Sequence, residues 1–137
     1  MLSRIADTFV AKVRTHYLSD RAQLIDDLFN LASSKRLEIS LPLLFCKYLR
    51  KERAYIPWKA ALAHITTIQS HISPAERHTS KIYVRSLIND VLREMTQFNS
   101  SIDNPVQMRL MQTLMVRTGL DNDHQGAVDF TDKLHSS

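Results

Sequence analysis

The chain has 137 residues, of which 44% are apolar and 23% charged, and it carries a net charge of +4. That length suits one ordinary domain with a real core, and the composition excludes the disordered, collagenous and disulfide-rich classes. The charge is too small for a nucleic-acid binder: the densest run, Lys47, Arg50, Lys51 and Arg53, has no interleaved glycine or stacking aromatic and reads as a solvated helix end.

The lone cysteine, Cys46, excludes an internal disulfide, and its place between Phe45 and Tyr48 predicts a buried, inert thiol. The first residues carry Arg4, Asp7 and Lys12 without the apolar core of a signal peptide. No apolar run reaches the ~18 residues that a membrane helix needs, so the chain as given is expected to be soluble.

Two glycines and four prolines leave little turn chemistry, and apolar residues recur at spacings of three and four, which predicts an all-α fold. Ser3 to Lys12 reads as a short amphipathic helix with Ile5, Ala6, Phe9 and Val10 inward, followed by a linker over 14–19. Ser19 or Asp20 then caps a second helix that runs to Ser33. Ala22, Ile25, Leu28, Phe29 and Ala32 share its apolar face, and Asp26, Asp27 and Asn30 fall on or near the other. Residues 33–36 form a turn. Ser40 is expected to cap a third helix, with Pro42 in its first turn, where a missing N–H costs nothing. Its stripe is Leu41, Leu44, Phe45, Tyr48 and Leu49, and it ends near Arg53.

Pro57 opens the fourth helix, with Trp58, Ala61, Leu62, Ile65, Ile68 and Ile72 inward. Ser73-Pro74-Ala75-Glu76 has the form of a capping box. It starts a fifth helix with Val84, Ile88, Val91, Met95 and Phe98 on one stripe. A polar loop over 99–104 leads to Pro105 and a sixth helix, which Gly119 is expected to end in a left-handed conformation. Asn122 with Gln125 would cap a seventh helix ending near Leu134, whose first turn Gly126 weakens by roughly 1 kcal/mol relative to alanine. The reading is a single α-helical domain over residues 1–137 with about seven helices, whose short loops make neighbours antiparallel. Stacked as hairpins, they give a HEAT- or armadillo-like α-solenoid. A compact helical bundle is the competing architecture.

No catalytic pattern emerges. No histidine is followed by the glutamate of H-E-x-x-H, and His64 and His71 lie too far apart along one helix to grip a metal together. Asp26 and Asp27 are adjacent, so they point about 100° apart and cannot act as an acid/base pair on one atom. No phosphate-binding loop, dinucleotide fingerprint or nucleophile elbow is present. Met108, Met111 and Met115 form a stripe suited to core filling or an adaptable surface. Asn99-Ser100-Ser101 is a glycosylation sequon, which places Asn99 as a candidate modification site.

Two stretches carry a resemblance. Arg21 to Ala32, RAQLIDDLFNLA, resembles the first well-defined helix of the C-terminal helical domain of aminopeptidase N-type zinc metallopeptidases. Tyr48-Leu49, Glu52, Tyr55-Ile56-Pro57-Trp58 and Ala61-Leu62 follow that family's pattern at similar spacing, and Ile5 to Thr8 and Arg109 to Leu134 follow it more loosely. Asp20 and Leu28 depart from the usual asparagine and alanine. The resemblance implies a fragment from the first half of a larger helical domain, which covers the catalytic domain of the same parent chain and helps enclose the peptide-binding cavity. It implies zinc and peptide substrate for the parent, no cofactor for this chain, and a secretory or cell-surface setting. No catalytic or metal-ligating residue of the family maps here. Arg21, Asp26, Asp27, Tyr55, Pro57 and Trp58 are then structural or interdomain residues. In insect midgut members the ectodomain also docks bacterial pore-forming toxins. The other reading is a stand-alone α-solenoid interaction module, which could include such a toxin-binding region. Ala127, Phe130 and Leu134 form an apolar end through which self-association is expected.

Overall fold

Residues 18–97 and 105–136 are described by a computed structural model. Among them every regular element is helical: α1 (Leu18–Ser33), α2 (Ser40–Phe45) continued by a 3-10 turn (Cys46–Lys51), α3 (Tyr55–Gln69), α4 (Pro74–Thr96), α5 (Pro105–Asp121) and α6 (Gln125–Ser136). The all-α class is as expected. The helix expected over Ser3 to Lys12, the end of the long stripe at Phe98, and the Asn99 sequon lie outside the described residues. The chain forms two compact units, Met1–Ile68 and Gln69–Ser137.

In the first unit, α1 buries Ala22, Ile25, Leu28 and Phe29, the face that the three-and-four spacing marks. The helix takes in Ser19 and Asp20 instead of being capped by them, and Asp20 in the first turn complements the helix dipole. Its C-terminus closes without glycine. Lys35 adopts φ 63, its N–H donates to the Ala32 carbonyl, and Arg36 N–H donates to Leu31. That pair of bonds is a Schellman motif, with Lys35 in the left-handed position that glycine usually fills.

The third predicted helix differs from expectation in two ways. Its N-cap is Ile39, without a side-chain bond, so Ser40 is not the cap. It also tightens to 3-10 geometry at Cys46. Residues three apart eclipse in a 3-10 turn, which sets Cys46 and Leu49 on one face; the Phe45 ring meets that of Tyr48 at a 55° tilt, 5.1 Å between centroids, and all four residues are buried. Leu41 and Leu44 remain half-buried. α3 starts at Tyr55 with Pro57 in its first turn, and buries Pro57, Trp58, Ala61, Leu62 and Ile65.

In the second unit, the Ser73 side chain accepts from the Glu76 N–H at 3.2 Å, with Pro74 at the first helical position. α4 buries Val84, Leu87, Ile88, Val91, Leu92 and Met95, a wider face than the predicted heptad stripe. Met111 and Met115 of α5 and Ala127 of α6 complete the core.

Gly119 does not end α5. It is a buried helical residue without positive φ, and Asp123 (φ 59) takes the left-handed position. Asp123 N–H donates to Leu120 and His124 N–H to Gly119, a second Schellman motif without glycine. Gly119 is needed for packing: a Cβ there would lie 2.6 Å from the Ala127 Cβ. Asn122 is not the cap of α6 either. Its Nδ2 donates to Thr118, its Oδ1 accepts from Gln69, and its carbonyl accepts from Arg85. A buried side chain so engaged belongs to the end of α5.

Two substitutions separate these uses of glycine. Lys35→Gly, at an exposed position, should stabilise the first unit by about 1 kcal/mol by relieving left-handed strain. Gly119→Ala should destabilise the second by roughly 1–3 kcal/mol through overpacking. Urea unfolding of both variants measures the opposite signs.

Candidate functional site

The two stretches that stand out in the sequence meet at Glu52. This residue sits in an extended link (φ −80, ψ 132) between the 3-10 turn and α3, and only 7% of it is exposed. A buried carboxylate needs full hydrogen bonding, and Glu52 has it. Arg21 of α1 donates from Nε to Oε2 at 2.7 Å and from its NH2 group to Oε1 at 3.2 Å. The Ala54 N–H donates to Oε1 at 3.2 Å. The fork of Arg21 matches the carboxylate in the bidentate manner that lysine cannot reproduce. The Glu52 backbone carbonyl accepts the Trp58 Nε1–H at 2.8 Å, which satisfies the buried indole.

Tyr48 lies beside this pair. Its hydroxyl is buried and has no hydrogen-bond partner among the described residues. Burial pushes the phenol pKa far up, and the neighbouring Glu52 charge pushes it further. A cavity of about 180 Å³ is lined by Arg21, Tyr48, Lys51 and Glu52. A phenol held protonated is a poor proton-transfer group at neutral pH, and both Glu52 oxygens are taken up by the Arg21 fork. The chemistry of the cluster is that of a clasp. Cys46 is equally inert: burial pushes its thiol up to about 12.

The two aspartates diverge as their adjacency demands. Asp26 Oδ1 lies 2.8 Å from His64 Nε2, and the His64 ring stacks on Phe29 at 4.8 Å between centroids. Asp27 accepts from Gln23 at 2.9 Å along its own helix. Tyr55 opens α3 with the Lys59 ammonium 5.8 Å from its ring centroid. His71 lies beyond α3, beside Ser70. Arg21 and Trp58 thus converge on Glu52 and Pro57 is buried in the first turn of α3, whereas Asp26 and Tyr55 are half-exposed and Asp27 is exposed. Sequence reasoning missed the Asp26–His64 contact and the central place of Glu52, because no spacing rule pairs residues on separate helices.

Zinc, implied by the resemblance for the parent, finds no ligand set here: among the described residues no three His, Cys, Asp or Glu side chains converge. No helix among them is long and apolar enough to cross a membrane.

Residues 5–136 match the family of the ERAP1-like C-terminal domain. Similar curated proteins include aminopeptidase N of Plutella xylostella, 48% identical over 62 residues, which are 45% of this chain and 7% of that protein. Glutamyl aminopeptidase of Homo sapiens is 36% identical over 66 residues, 48% of this chain and 7% of its own. Aminopeptidase A of Gloydius brevicauda is 30% identical over 93 residues, 66% of this chain and 10% of its own. The matched stretches therefore span a small part of these relatives' lengths.

Removing one partner of the buried pair leaves the other charge unpaired, which costs roughly 3–5 kcal/mol. Glu52→Ala should lower stability on that scale, whereas Asp27→Ala, at an exposed position, should change it by less than about 1 kcal/mol. Denaturant titration followed by the fluorescence of Trp58, the only tryptophan, checks both.

Proposed function

The chain belongs to the ERAP1-like C-terminal domain family, and from that membership we propose that it is a non-catalytic helical segment of an aminopeptidase N-like zinc aminopeptidase. In this reading it is part of a larger helical domain, rests on the catalytic domain of the same parent chain, and helps enclose the cavity that receives peptide substrate. Zinc and peptide hydrolysis belong to the parent's catalytic domain, and the parent acts at the cell surface. The observation that carries the reading is the family match over residues 5–136, joined to the aminopeptidase names of the relatives.

The physical character of the segment supports it. The most distinctive polar residues, Arg21 and Glu52, are spent on internal cohesion. Surface remains for contact: Val106, Leu110, Leu120 and Leu134 are large apolar side chains exposed to solvent on α5 and α6, more than isolated surface hydrophobics require. Asp26, Asp27 and Tyr55 supply a polar rim suited to an interdomain contact, the kind of surface that domains of one chain share.

The reading frame that encodes the chain should carry an H-E-x-x-H domain upstream. The purified chain should hydrolyse no aminoacyl-anilide and retain no stoichiometric zinc, and it should associate in trans with the separately produced catalytic domain. An upstream region without that motif, peptidase activity in the isolated chain, or no association would each overturn the proposal.

A further inference from the structure

The imidazole of His124 is held at both nitrogens. Nδ1 lies 3.0 Å from the Gly126 backbone nitrogen, and Nε2 lies 3.0 Å from Oδ1 of Asn89 on α4. A backbone N–H can only donate, so Nδ1 is the acceptor, and Nε2 carries the proton and donates to Asn89. The His124 carbonyl accepts from the Ala127 and Val128 N–H groups. These bonds make His124 the N-cap residue of α6 and Gly126 the second helical residue, whose N–H has no partner within the helix.

Gly126 belongs to the same device. A Cβ there would lie 2.9 Å from the His124 Cε1 and 3.1 Å from Nδ1. Only glycine lets the flat ring approach the backbone so closely. This accounts for a residue that otherwise weakens the first turn of a helix.

We propose that His124 and Gly126 form a pH-dependent N-cap, in which the neutral imidazole holds the start of α6 and protonation releases it. A proton on Nδ1 sets a donor against the Gly126 N–H donor. It also places a full positive charge at the positive end of the helix dipole. Charged groups on the surrounding elements include Arg85 of α4, the Lys81–Asp123 pair, Asp121 at the end of α5, and Asp129 of α6, which accepts from Gln125. Burial lowers the His124 pKa, and the Arg85 charge lowers it further. The unfolded chain therefore binds the proton more readily than the folded one. The cap's contribution is complete above the ordinary value of 6.5 and is lost as pH falls through the lower folded value. What it governs is the wall of a cleft of about 330 Å³, lined by Val116 and Leu120 of α5 and Phe130 and Leu134 of α6, among others. Acid would loosen that wall and expose its apolar side chains. The proposal does not depend on the family reading.

The test uses the 137-residue chain. Long-range proton–nitrogen correlation spectra should show the Nε2–H tautomer of His124, identified by the loss of its signals in His124→Asn. Amide exchange of residues 127–131, corrected for intrinsic rates, should lose protection as pH falls below the ordinary value of 6.5, by about tenfold for each unit that the folded pKa lies below the unfolded one. His124→Asn keeps a capping side chain that does not titrate, so its protection should stay flat, and Gly126→Ala should abolish the pH dependence by displacing the ring. An Nδ1–H tautomer, unchanged wild-type protection, or an equal loss in His124→Asn would overturn the proposal. If His124→Asn does not fold, the wild-type tautomer and exchange data decide it.

Discussion

The ion pair between Arg21 and Glu52 is the constraint on which the first unit depends. Glu52 stands where the chain leaves a tight 3-10 turn and enters α3: its N–H closes the turn on the Leu49 carbonyl at 3.0 Å, and its backbone is then extended. Such a link is floppy unless its polar groups find partners. Here the side chain takes the Arg21 fork and the Ala54 N–H, and the backbone carbonyl takes the Trp58 indole. One residue thereby fixes α1, the link and the first turn of α3. A buried ion pair adds little net stability over a well-packed apolar pair, but it is unforgiving of displacement. Its value lies in the geometry it imposes on the elements it joins.

Both units solve the problem of ending a helix in the same unusual way. Two Schellman motifs place Lys35 and Asp123 in left-handed conformations, while the two glycines, Gly119 and Gly126, sit where a Cβ would collide. Glycine is spent on close approach, and the strain of the left-handed turns is borne by side chains that reach solvent. Asp123 recovers something by pairing with Lys81 at 3.1 Å. This allocation explains why a reading that assigns glycine to helix ends puts the left-handed turn after α5 at Gly119, four residues before its place at Asp123.

Much of the fold was legible because helical periodicity is a local signal. The faces of α1, α3 and α4, the Ser73 cap and the Pro105 start all follow from residues within a few turns of each other. What was not legible is non-local. No spacing predicts that Glu52 reaches back to Arg21, that Asp26 meets His64, or that the Asn122 side chain serves Gln69 and the end of α5 instead of capping α6. The switch from α to 3-10 geometry at Cys46 is equally hidden, since apolar residues at Phe45, Cys46, Tyr48 and Leu49 fit either helix. The family resemblance rested on two stretches, Arg21 to Ala32 and Tyr48 to Leu62, and the clasp ties one to the other through Arg21, Glu52 and Trp58.

Chemistry requires polar groups left uncommitted, with pKa values near the working pH. In the first unit the buried polar residues are committed: Glu52 to Arg21, the indole of Trp58 to a carbonyl, and the phenol of Tyr48 to its protonated form by burial. In the second unit the half-exposed His124 is committed to a backbone amide and to Asn89. Side chains spent in this way build a firm helical body, and what such a body can offer a larger enzyme is shape and surface. The apolar side chains of α5 and α6 that face solvent are where that surface is most suited to contact.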